Sequence, residues 1–263
     1  MSAIGQNGGA GPEEVTGLWA HLPAVPYALT SLLRTIVYAL FLLTFVFQPF
    51  LIPSESMERT LLVGDFLLVN KQIFAPDGKP GSLGRRIMPY RNVERGDIVV
   101  FHHSSPRYLI KRVVGLPGDH IRIENGKLLV NGVVRPEPYA AFEPAAPSSL
   151  RDNFPARLYT DPNVDPDWWR ELQHLTRNGE LTVPAGEYFM LGDNRNHSKD
   201  SRFWGFVPRQ AIVARPLVIY FSVRRPSTTD ARQDTDDRLG HDRQFSARLA
   251  GFARWERIFR VVR

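Results

Sequence analysis

The sequence lacks several residue types and motifs on which large classes of protein depend. It contains no cysteine among its 263 residues, which excludes a disulfide scaffold, a thiolate zinc site, an iron–sulfur cluster and a cysteine nucleophile. The seven histidines are scattered and no H-E-x-x-H occurs, so no metal site is predicted. Glycine-rich phosphate-binding motifs are absent, and no cofactor is expected. The G-x-S-x-G motif of α/β-hydrolases and the S-x-x-K motif of penicillin-type acyl enzymes are missing as well.

The N-terminal region lacks basic residues at first and then lacks almost all charge. Residues 1–28 contain no lysine or arginine and are rich in glycine, alanine and proline, which indicates a flexible tail. Residues 29–52 are predominantly apolar and carry Arg34 as their only charge. At about 1.5 Å per residue, a helix over this stretch would be ~36 Å long and could cross a ~30 Å hydrocarbon core. We therefore predict one transmembrane anchor over residues 29–52.

Two other interpretations of the apolar run are less favourable. A cleaved secretory signal needs small residues after its apolar core, but the large residues of Phe50–Pro53 follow here. A buried core helix would leave the run without the polar face that a globular helix presents to water. The orientation depends almost entirely on Arg34, which places the tail in the cytoplasm and the rest of the chain on the other side.

An excess of positive charge indicates an anionic partner. The net charge is +6 and the isoelectric point is near 9.8, which suits nucleic acid or a membrane surface. The predicted anchor favours membrane lipids, and without a recognition motif no nucleic-acid partner is expected. The basic, aromatic segment Arg248–Arg263 either lies on an anionic membrane face or packs on the core as a terminal strand or helix. The sequence leaves both arrangements open.

After the anchor, short apolar runs alternate with turn residues. Asn125-Gly126 and Asn131-Gly132 each separate two apolar runs, which predicts two tight hairpins. The overall spacing favours a mostly β fold with an antiparallel sheet. Residues 136–181 hold seven prolines and few apolar runs, so we expect them to leave the main sheet as part of a smaller inserted β/loop domain.

These patterns divide the chain into six parts. They are a tail at 1–28, the anchor at 29–52, the main β-domain in two pieces at 53–119 and 182–223, the inserted domain at 120–181, and a charged linker with the basic aromatic segment at 224–263.

Two places contain residues that could support chemistry. Ser54 and Ser56 lie two residues apart, directly after the predicted anchor. Lys111 lies in an alternating segment whose same face carries Leu109 and Val113. Burial among apolar neighbours lowers the pKa of a lysine, and the neutral amine can then serve as the base of a Ser-Lys dyad. From spacing alone, a solvated lysine and a capping serine are the commoner interpretations.

Three motifs, in this order behind one apolar run, resemble those of bacterial type I signal peptidases, also called leader peptidases. The resemblance covers roughly residues 30–223. The motifs are a serine box (IPSESM at 52–57, then Thr60-Leu61 and Gly64-Asp65), a lysine box (IKRVVGLPGD at 110–119) and a third box (GDNR at 192–195, then Ser198, DSR at 200–202 and GFVP at 205–208).

The resemblance implies a membrane-anchored serine endopeptidase that removes signal peptides from exported preproteins through an acyl-enzyme, with no metal or cofactor. It implies that Ser56 is the nucleophile and Lys111 the general base. Ser54 would donate to the oxyanion hole, Ser198 would hold the Lys111 amine, and Asp200 would support the site. The mostly β catalytic domain would lie on the outer side of the bacterial cytoplasmic membrane.

The resemblance also implies a specificity and a set of partners. Ile52 and Ile110 would line shallow apolar pockets that accept small residues, usually Ala-x-Ala, before the cut, because a narrow pocket rejects large side chains by overlap. Asp193, Arg195 and Arg202 look structural. The partners would be signal-peptide-bearing preproteins and membrane lipids.

Two departures from the family pattern concern local geometry. Arg59 stands where the family commonly has proline, and Asn196-His197 replaces a common Asp-Asn. An alternative function is a catalytically silent, membrane-tethered β-domain that binds peptides. It would keep the fold and lose the chemistry, and the presence of Ser56, Lys111 and Ser198 argues against it.

Overall fold

The described part of the chain begins with one long apolar helix. Helix α1 spans Tyr27–Phe45 and buries none of its residues. Its mean hydropathy is 1.8, and at about 1.5 Å per residue it is ~28 Å long, close to the thickness of a bilayer core. It is therefore a candidate membrane span by length and composition.

The computed structural model describes residues 27–74, 91–103, 105–156, 161–224 and 252–263. The predicted tail lies outside the described residues except for its last two positions, and so does most of the predicted charged linker. Contacts divide the chain into residues 1–41 and residues 42–263, and the sheets and the site all belong to the second unit.

The predicted anchor extends beyond the helix. Strand β1, Phe47–Leu51, follows the helix and pairs antiparallel with β2, Asp65–Asn70, so that Leu51 lies opposite Phe66. The last part of the predicted 29–52 anchor is therefore sheet. An uncharged apolar run suits a membrane helix and a buried strand equally well. Only Pro49, which cannot continue a helix, indicated where the helix gives way to the strand.

The main sheet has eight strands in the described residues, and all of them pair antiparallel. Besides β1 and β2, its strands are β3 (Ile98–His103), β4 (Ser105–Gly115), β11 (Glu187–Leu191), β12 (Val207–Pro208), β13 (Ile212–Ser222) and β14 (Arg260–Val261). Their order is β1-β2-β13-β3-β4-β11-β12, with β14 beside β13. Strand β13 thus pairs both with β2, from the N-terminal half, and with β14, from the C-terminal segment.

A second sheet of six strands is inserted between β4 and β11. Its strands are β5 (His120–Glu124), β6 (Lys127–Val130), β7 (Val133–Val134), β8 (Asn153–Phe154), β9 (Thr176–Arg177) and β10 (Glu180–Thr182). Their order is β7-β6-β5-β10-β9, with β8 beside β5. The mostly antiparallel β fold behind one N-terminal apolar helix is thereby confirmed.

The two predicted hairpins are confirmed by their turns. Asn125 and Gly126 have φ of 50° and 74°, and Asn131 and Gly132 have φ of 56° and 73°. Positive φ at both central residues is the signature of the type I′ turn, whose twist matches that of paired strands. These turns join β5 to β6 and β6 to β7.

Short helices complete the described fold: α2 (Ser149–Asp152), α3 (Pro166–Leu175), α4 (Ser201–Trp204) and the 3-10 turns Glu55–Met57, Arg209–Ala211 and Trp255–Arg257. Asp165 caps α3 by accepting from the N–H groups of Asp167 and Trp168. Helix α3 buries Trp168 and Leu172 in the apolar core of the inserted sheet.

The C-terminal segment, Phe252–Arg263, packs along β13. The N–H of Arg254 donates to Ser222 O at 2.9 Å, and the N–H of Val262 donates to Leu217 O at 2.9 Å. Val262 is buried in the same apolar cluster as Ile52. Of the two arrangements that the sequence left open, the described residues adopt the packed one.

Candidate active site

The serine loop, residues 54–64, connects β1 to β2 and carries both predicted serines. Ser54 is exposed and extended, with φ −134° and ψ 158°, and its side chain makes no capping hydrogen bond. Ser56 lies in the middle of the 3-10 turn that follows. Met57 is 2% exposed and packs in the core beside Ile52. The buried Met57 side chain therefore fixes the turn in the core directly next to Ser56.

The base of the serine loop is closed by the backbone. Ile52 N donates to Asp65 O at 2.9 Å, and Gly64 N donates to Ile52 O at 3.0 Å. Gly64 has a φ of +90°, and a Cβ at this position would collide with Val223 O. Only glycine fits such a position without strain, which explains the Gly64-Asp65 pair at the end of the serine box.

Lys111 lies on β4, between β3 and β11, and its side chain points toward the serine loop. Its Nζ is 2.7 Å from Ser56 Oγ, within hydrogen-bond distance, and donates to Ile110 O at 3.1 Å. Lys111 is only 4% exposed. Within the described residues, no carboxylate forms an ion pair with this amine. The structure thus brings the predicted nucleophile and the predicted base into direct contact.

The surroundings of Lys111 favour its neutral form. Burial lowers the pKa of Lys111 to about 8, while the negative charges of Asp200 and Asp193 oppose the shift and Arg202 adds to it. A lysine with an ordinary pKa is almost wholly protonated at neutral pH and cannot accept a proton. With a pKa near 8, a useful fraction of the amine is neutral near physiological pH and can accept a proton.

Each of the two carboxylates near Lys111 is paired with a buried arginine. Asp193 accepts from Arg112 Nε and Nη2, both at 2.8 Å. Asp200 accepts from Arg202 Nε at 2.7 Å and Nη2 at 2.8 Å, and also from Gly192 N at 3.0 Å. Because these pairs are bidentate, the charges are fixed in place as well as neutralised.

Asp200 remains ionised in this setting. Burial alone would raise the pKa of Asp200, but the charge and hydrogen bonds of Arg202 and the Gly192 N–H bring it below its ordinary value. Asp200 is 0% exposed and also caps α4 by accepting from Arg202 N. Its described contacts therefore hold the third box together, and it does not contact Ser56 or Lys111 directly.

Ser198 lies beside the serine loop without bonding to the lysine. A Cβ added to Gly192 would collide with both Ser198 Oγ and Ser56 O, so the three residues meet at one point. Ser198 Oγ is buried and has no hydrogen-bond partner of good geometry, although its hydroxyl helps to lower the Asp200 pKa. The predicted hold of Ser198 on the Lys111 amine stays a prediction.

The two predicted pocket residues lie in one apolar cluster. Ile52 is 3% exposed and packs with Met57 and Leu61, and Ile110 is half-buried against the same cluster. Only Ile110 therefore presents a substantial surface, while Ile52 offers an edge. Their part in binding a substrate stays a prediction.

Several contacts at the site went unnoticed in the sequence. Thr60 Oγ1 donates to Asp193 Oδ2 at 2.5 Å, and Arg195 pairs with Glu137 through bonds of 2.6 and 2.8 Å. The signal for Arg112 was present, because a charge inside an apolar strand usually has a buried partner. The sequence does not tell which of many carboxylates that partner is.

The two departures from the family pattern both contact the inserted region. Arg59 has a φ of 84°, a value that proline cannot adopt, and its Nη1 donates to Ala140 O at 2.8 Å. Asn196 Oδ1 accepts from Glu143 N at 3.0 Å, and His197 lies 3.2 Å from the Glu143 carboxylate. The departures thus tie the serine loop and the third box to residues 140–143.

The chemistry that this arrangement supports is nucleophilic attack by a serine. No group of three or more histidine or acidic side chains in the described ranges is arranged to hold a metal ion. The functional groups that meet are the Ser56 hydroxyl and the buried Lys111 amine, a pair that can serve as nucleophile and base.

The chain is similar to known proteins over most of its length. The family model described as "Signal peptidase, peptidase S26" matches residues 27–221. The chain belongs to this family of signal peptidases. A signal peptidase I from Pseudomonas aeruginosa is 35% identical over 76% of this chain and 74% of its own length. One from Pseudomonas fluorescens is 36% identical over 74% of this chain and 72% of its own.

A signal peptidase I of known structure, from Enterococcus faecalis, is 30% identical, with a TM-score of 0.36 over 48% of this chain and 97% of its own. Membership of the signal peptidase family makes this chain a serine endopeptidase, which is a hydrolase. The N-terminal apolar helix is consistent with the membrane anchoring of signal peptidases.

Proposed function

We propose that this protein cleaves signal peptides from exported preproteins with a Ser56–Lys111 dyad. The observation that supports the dyad most strongly is the 2.7 Å distance between Lys111 Nζ and Ser56 Oγ, with the lysine 4% exposed. A solvated lysine would be protonated, and a distant one could not take the proton from the hydroxyl. The family relationship supports the same reaction.

The reaction follows from these positions. Neutral Lys111 takes the proton of Ser56 Oγ as the oxygen attacks the carbonyl carbon of the scissile peptide. The resulting oxyanion accepts hydrogen bonds from Ser54 Oγ–H and Ser56 N–H. The lysine ammonium gives its proton to the leaving amine, the peptide bond breaks, and the signal peptide remains as an ester on Ser56. Lys111 then takes a proton from a water molecule as the water oxygen attacks the ester carbonyl. The ammonium returns this proton to Ser56 Oγ as the ester bond breaks, which frees the serine and releases the signal peptide with a carboxyl end.

The neighbouring residues complete the site. Ser54 is exposed and makes no capping bond, so its hydroxyl is available to an oxyanion. Ser198, buried at the junction of Gly192 and the Ser56 backbone, orients the amine of Lys111 when the substrate is bound. Asp200 keeps the third box in place through Arg202.

The substrate is a preprotein with small residues, Ala-x-Ala, before the cut. The support is that Ile52 and Ile110 belong to one apolar cluster with Met57, the neighbour of Ser56, and a shallow pocket formed there would reject large side chains by overlap. The enzyme is a single-pass protein of the bacterial cytoplasmic membrane, anchored by α1, with its catalytic domain on the outer side. Its substrate carries its own apolar helix in the same membrane, so that both are confined to one layer and meet readily.

The decisive experiment uses the full chain in detergent with a preprotein, and sequences the N-terminus of the product. Ser56→Ala and Lys111→Met should each abolish cleavage, because either change removes one half of the dyad. Ser54→Ala should reduce kcat by about 100-fold, the usual loss for one oxyanion donor. Lys127→Met, an exposed lysine of β6, is the matched control and should cleave normally.

Two results would refute the proposal. Normal cleavage by a folded Ser56→Ala or Lys111→Met variant would exclude the dyad. A product that begins at a site not preceded by small residues would exclude the proposed specificity while leaving the dyad intact.

A further inference from the structure

Thr60 lies at the junction of two buried ion pairs. Its hydroxyl donates to Asp193 Oδ2 at 2.5 Å, and Asp193 is held by Arg112, the residue next to Lys111. Its main-chain oxygen accepts from Arg257 Nη2 at 3.0 Å. Thr60 follows Ser56 by four residues, in the same loop. It therefore connects the nucleophile, the strand of the base and the C-terminal segment.

The C-terminal segment grips the serine loop with arginine side chains. Arg257 is 5% exposed and binds Asp65, the first residue after the loop, at 2.5 and 3.0 Å. Arg254 donates to Val63 O at 2.9 Å. Ser222 of β13 adds a bond of 2.6 Å to the same aspartate. The segment thus binds the end of the serine loop through Val63 and through Asp65, the residue that follows the loop.

The backbone of the loop transmits this hold to Ser56. Thr60 N and Leu61 N both donate to Met57 O, at 3.1 and 2.8 Å, and form a tight turn. Ser56 O accepts from Asn194 N at 3.2 Å. Only this short turn separates Thr60 from Ser56. A shift of Thr60 would therefore displace Ser56 relative to Lys111.

We propose that Thr60 and Arg257 are positioning residues that set the distance between the Ser56 hydroxyl and the Lys111 amine, and that the C-terminal segment is thereby part of the catalytic apparatus. This inference depends on the proposed dyad. Neither residue contacts the reacting atoms, so both act through the serine loop. A displacement of about 1 Å in a reacting group can lower the rate by about 100-fold.

The test measures how fast Ser56 is acylated and how many molecules react. The full chain in detergent is mixed with a peptide p-nitrophenyl ester that ends in alanine. The burst amplitude counts active molecules, and the burst rate reports the geometry of the dyad. Thr60→Val removes the hydroxyl and keeps the shape, whereas Thr60→Ser keeps the hydroxyl. Arg257→Lys keeps the charge but loses the bidentate grip.

We expect the burst rate to fall about tenfold to a hundredfold in Thr60→Val and Arg257→Lys, with a full burst amplitude. Thr60→Ser should retain the wild-type rate. The matched control is Arg170→Lys, because Arg170 is an exposed arginine of α3, outside the serine loop and the C-terminal segment. It should leave the burst rate unchanged. If Arg257→Lys does not fold, the Thr60 pair alone decides.

Two outcomes would overturn the inference. A wild-type burst rate in Thr60→Val and Arg257→Lys would exclude positioning. A lower amplitude with an unchanged rate would show that the residues serve stability alone. Failure of the dyad itself is recognised separately, because Ser56→Ala would then still give a burst.

Discussion

The two sheets bury different kinds of side chain. The inserted sheet closes over an apolar core that includes Ile121, Leu128, Trp168 and Leu172. The main sheet has apolar clusters too, but around the serine loop the structure also buries ion pairs, among them Arg112–Asp193, Arg202–Asp200 and Arg257–Asp65. Apolar burial stabilises a fold without fixing directions, whereas a buried ion pair requires a defined geometry. The comparison teaches that the buried ion pairs of the site region fix the positions of side chains, whereas the apolar core of the inserted region chiefly stabilises its fold.

The largest expected effect comes from breaking a charge pair at the site. Arg112→Met leaves Asp193 buried without its partner, which should lower the free energy of unfolding by about 3–5 kcal/mol. Cleavage should be lost as well, because Asp193 also holds Thr60. Chemical denaturation and a cleavage assay measure the two effects.

A second substitution serves as the control for this prediction. Adding Asp193→Asn to Arg112→Met removes the stranded charge and should restore most of the stability without restoring activity. A loss below about 1 kcal/mol in the single variant would show that the site region does not depend on the pair.

The next effect concerns stability alone and comes from the inserted sheet. Leu172→Ala removes a fully buried side chain of α3, and the cavity should cost about 2–5 kcal/mol. The burst rate should stay at the wild-type value at temperatures where the variant is folded, because the core of the inserted sheet does not include the dyad. A slower burst in the folded variant would abolish the contrast between the two regions. Denaturation and the ester burst measure the two quantities.

The last effect is the pH dependence of cleavage, which tests the protonation state of Lys111 in the site region. Burial lowers the pKa of Lys111 to about 8, and only the neutral amine is a base. Below that pKa, kcat/KM should fall about tenfold for each unit of pH, and above it the rate should level off. The pH profile of the full chain provides the measurement, with Lys127→Met as a variant of unchanged profile. A flat profile from pH 8 to pH 5 would contradict a lysine base.

The predictable parts of the fold were those encoded locally. Asn125-Gly126 and Asn131-Gly132 predicted their hairpins because the turn type depends mainly on those two residues. The apolar run announced a helix but not its end, since the hydropathy of Phe47–Leu51 suits a strand equally. What decides between them is the pairing with β2, which involves residues far along the chain.

The site was predictable only where a family pattern carried it. Alternation placed Lys111 on an apolar face, but the contact with Ser56 spans 55 positions and no local rule gives it. Arg112 and Asp193 are 81 positions apart, and Asp65 and Arg257 are 192 apart. Charges of either sign are numerous, so composition does not select the partners; the topology of the main sheet does.

The grip of Arg257 on Asp65 has a consequence in time. A ribosome that adds about 5–20 residues per second makes Arg257 roughly 10–40 s after Asp65, since 192 positions separate them. A growing chain thus contains the Ser56 hydroxyl and the Lys111 amine well before it contains the arginine that binds Asp65. If Arg257 positions the serine loop as proposed, the site takes its final geometry only after both of its reacting groups have been synthesised.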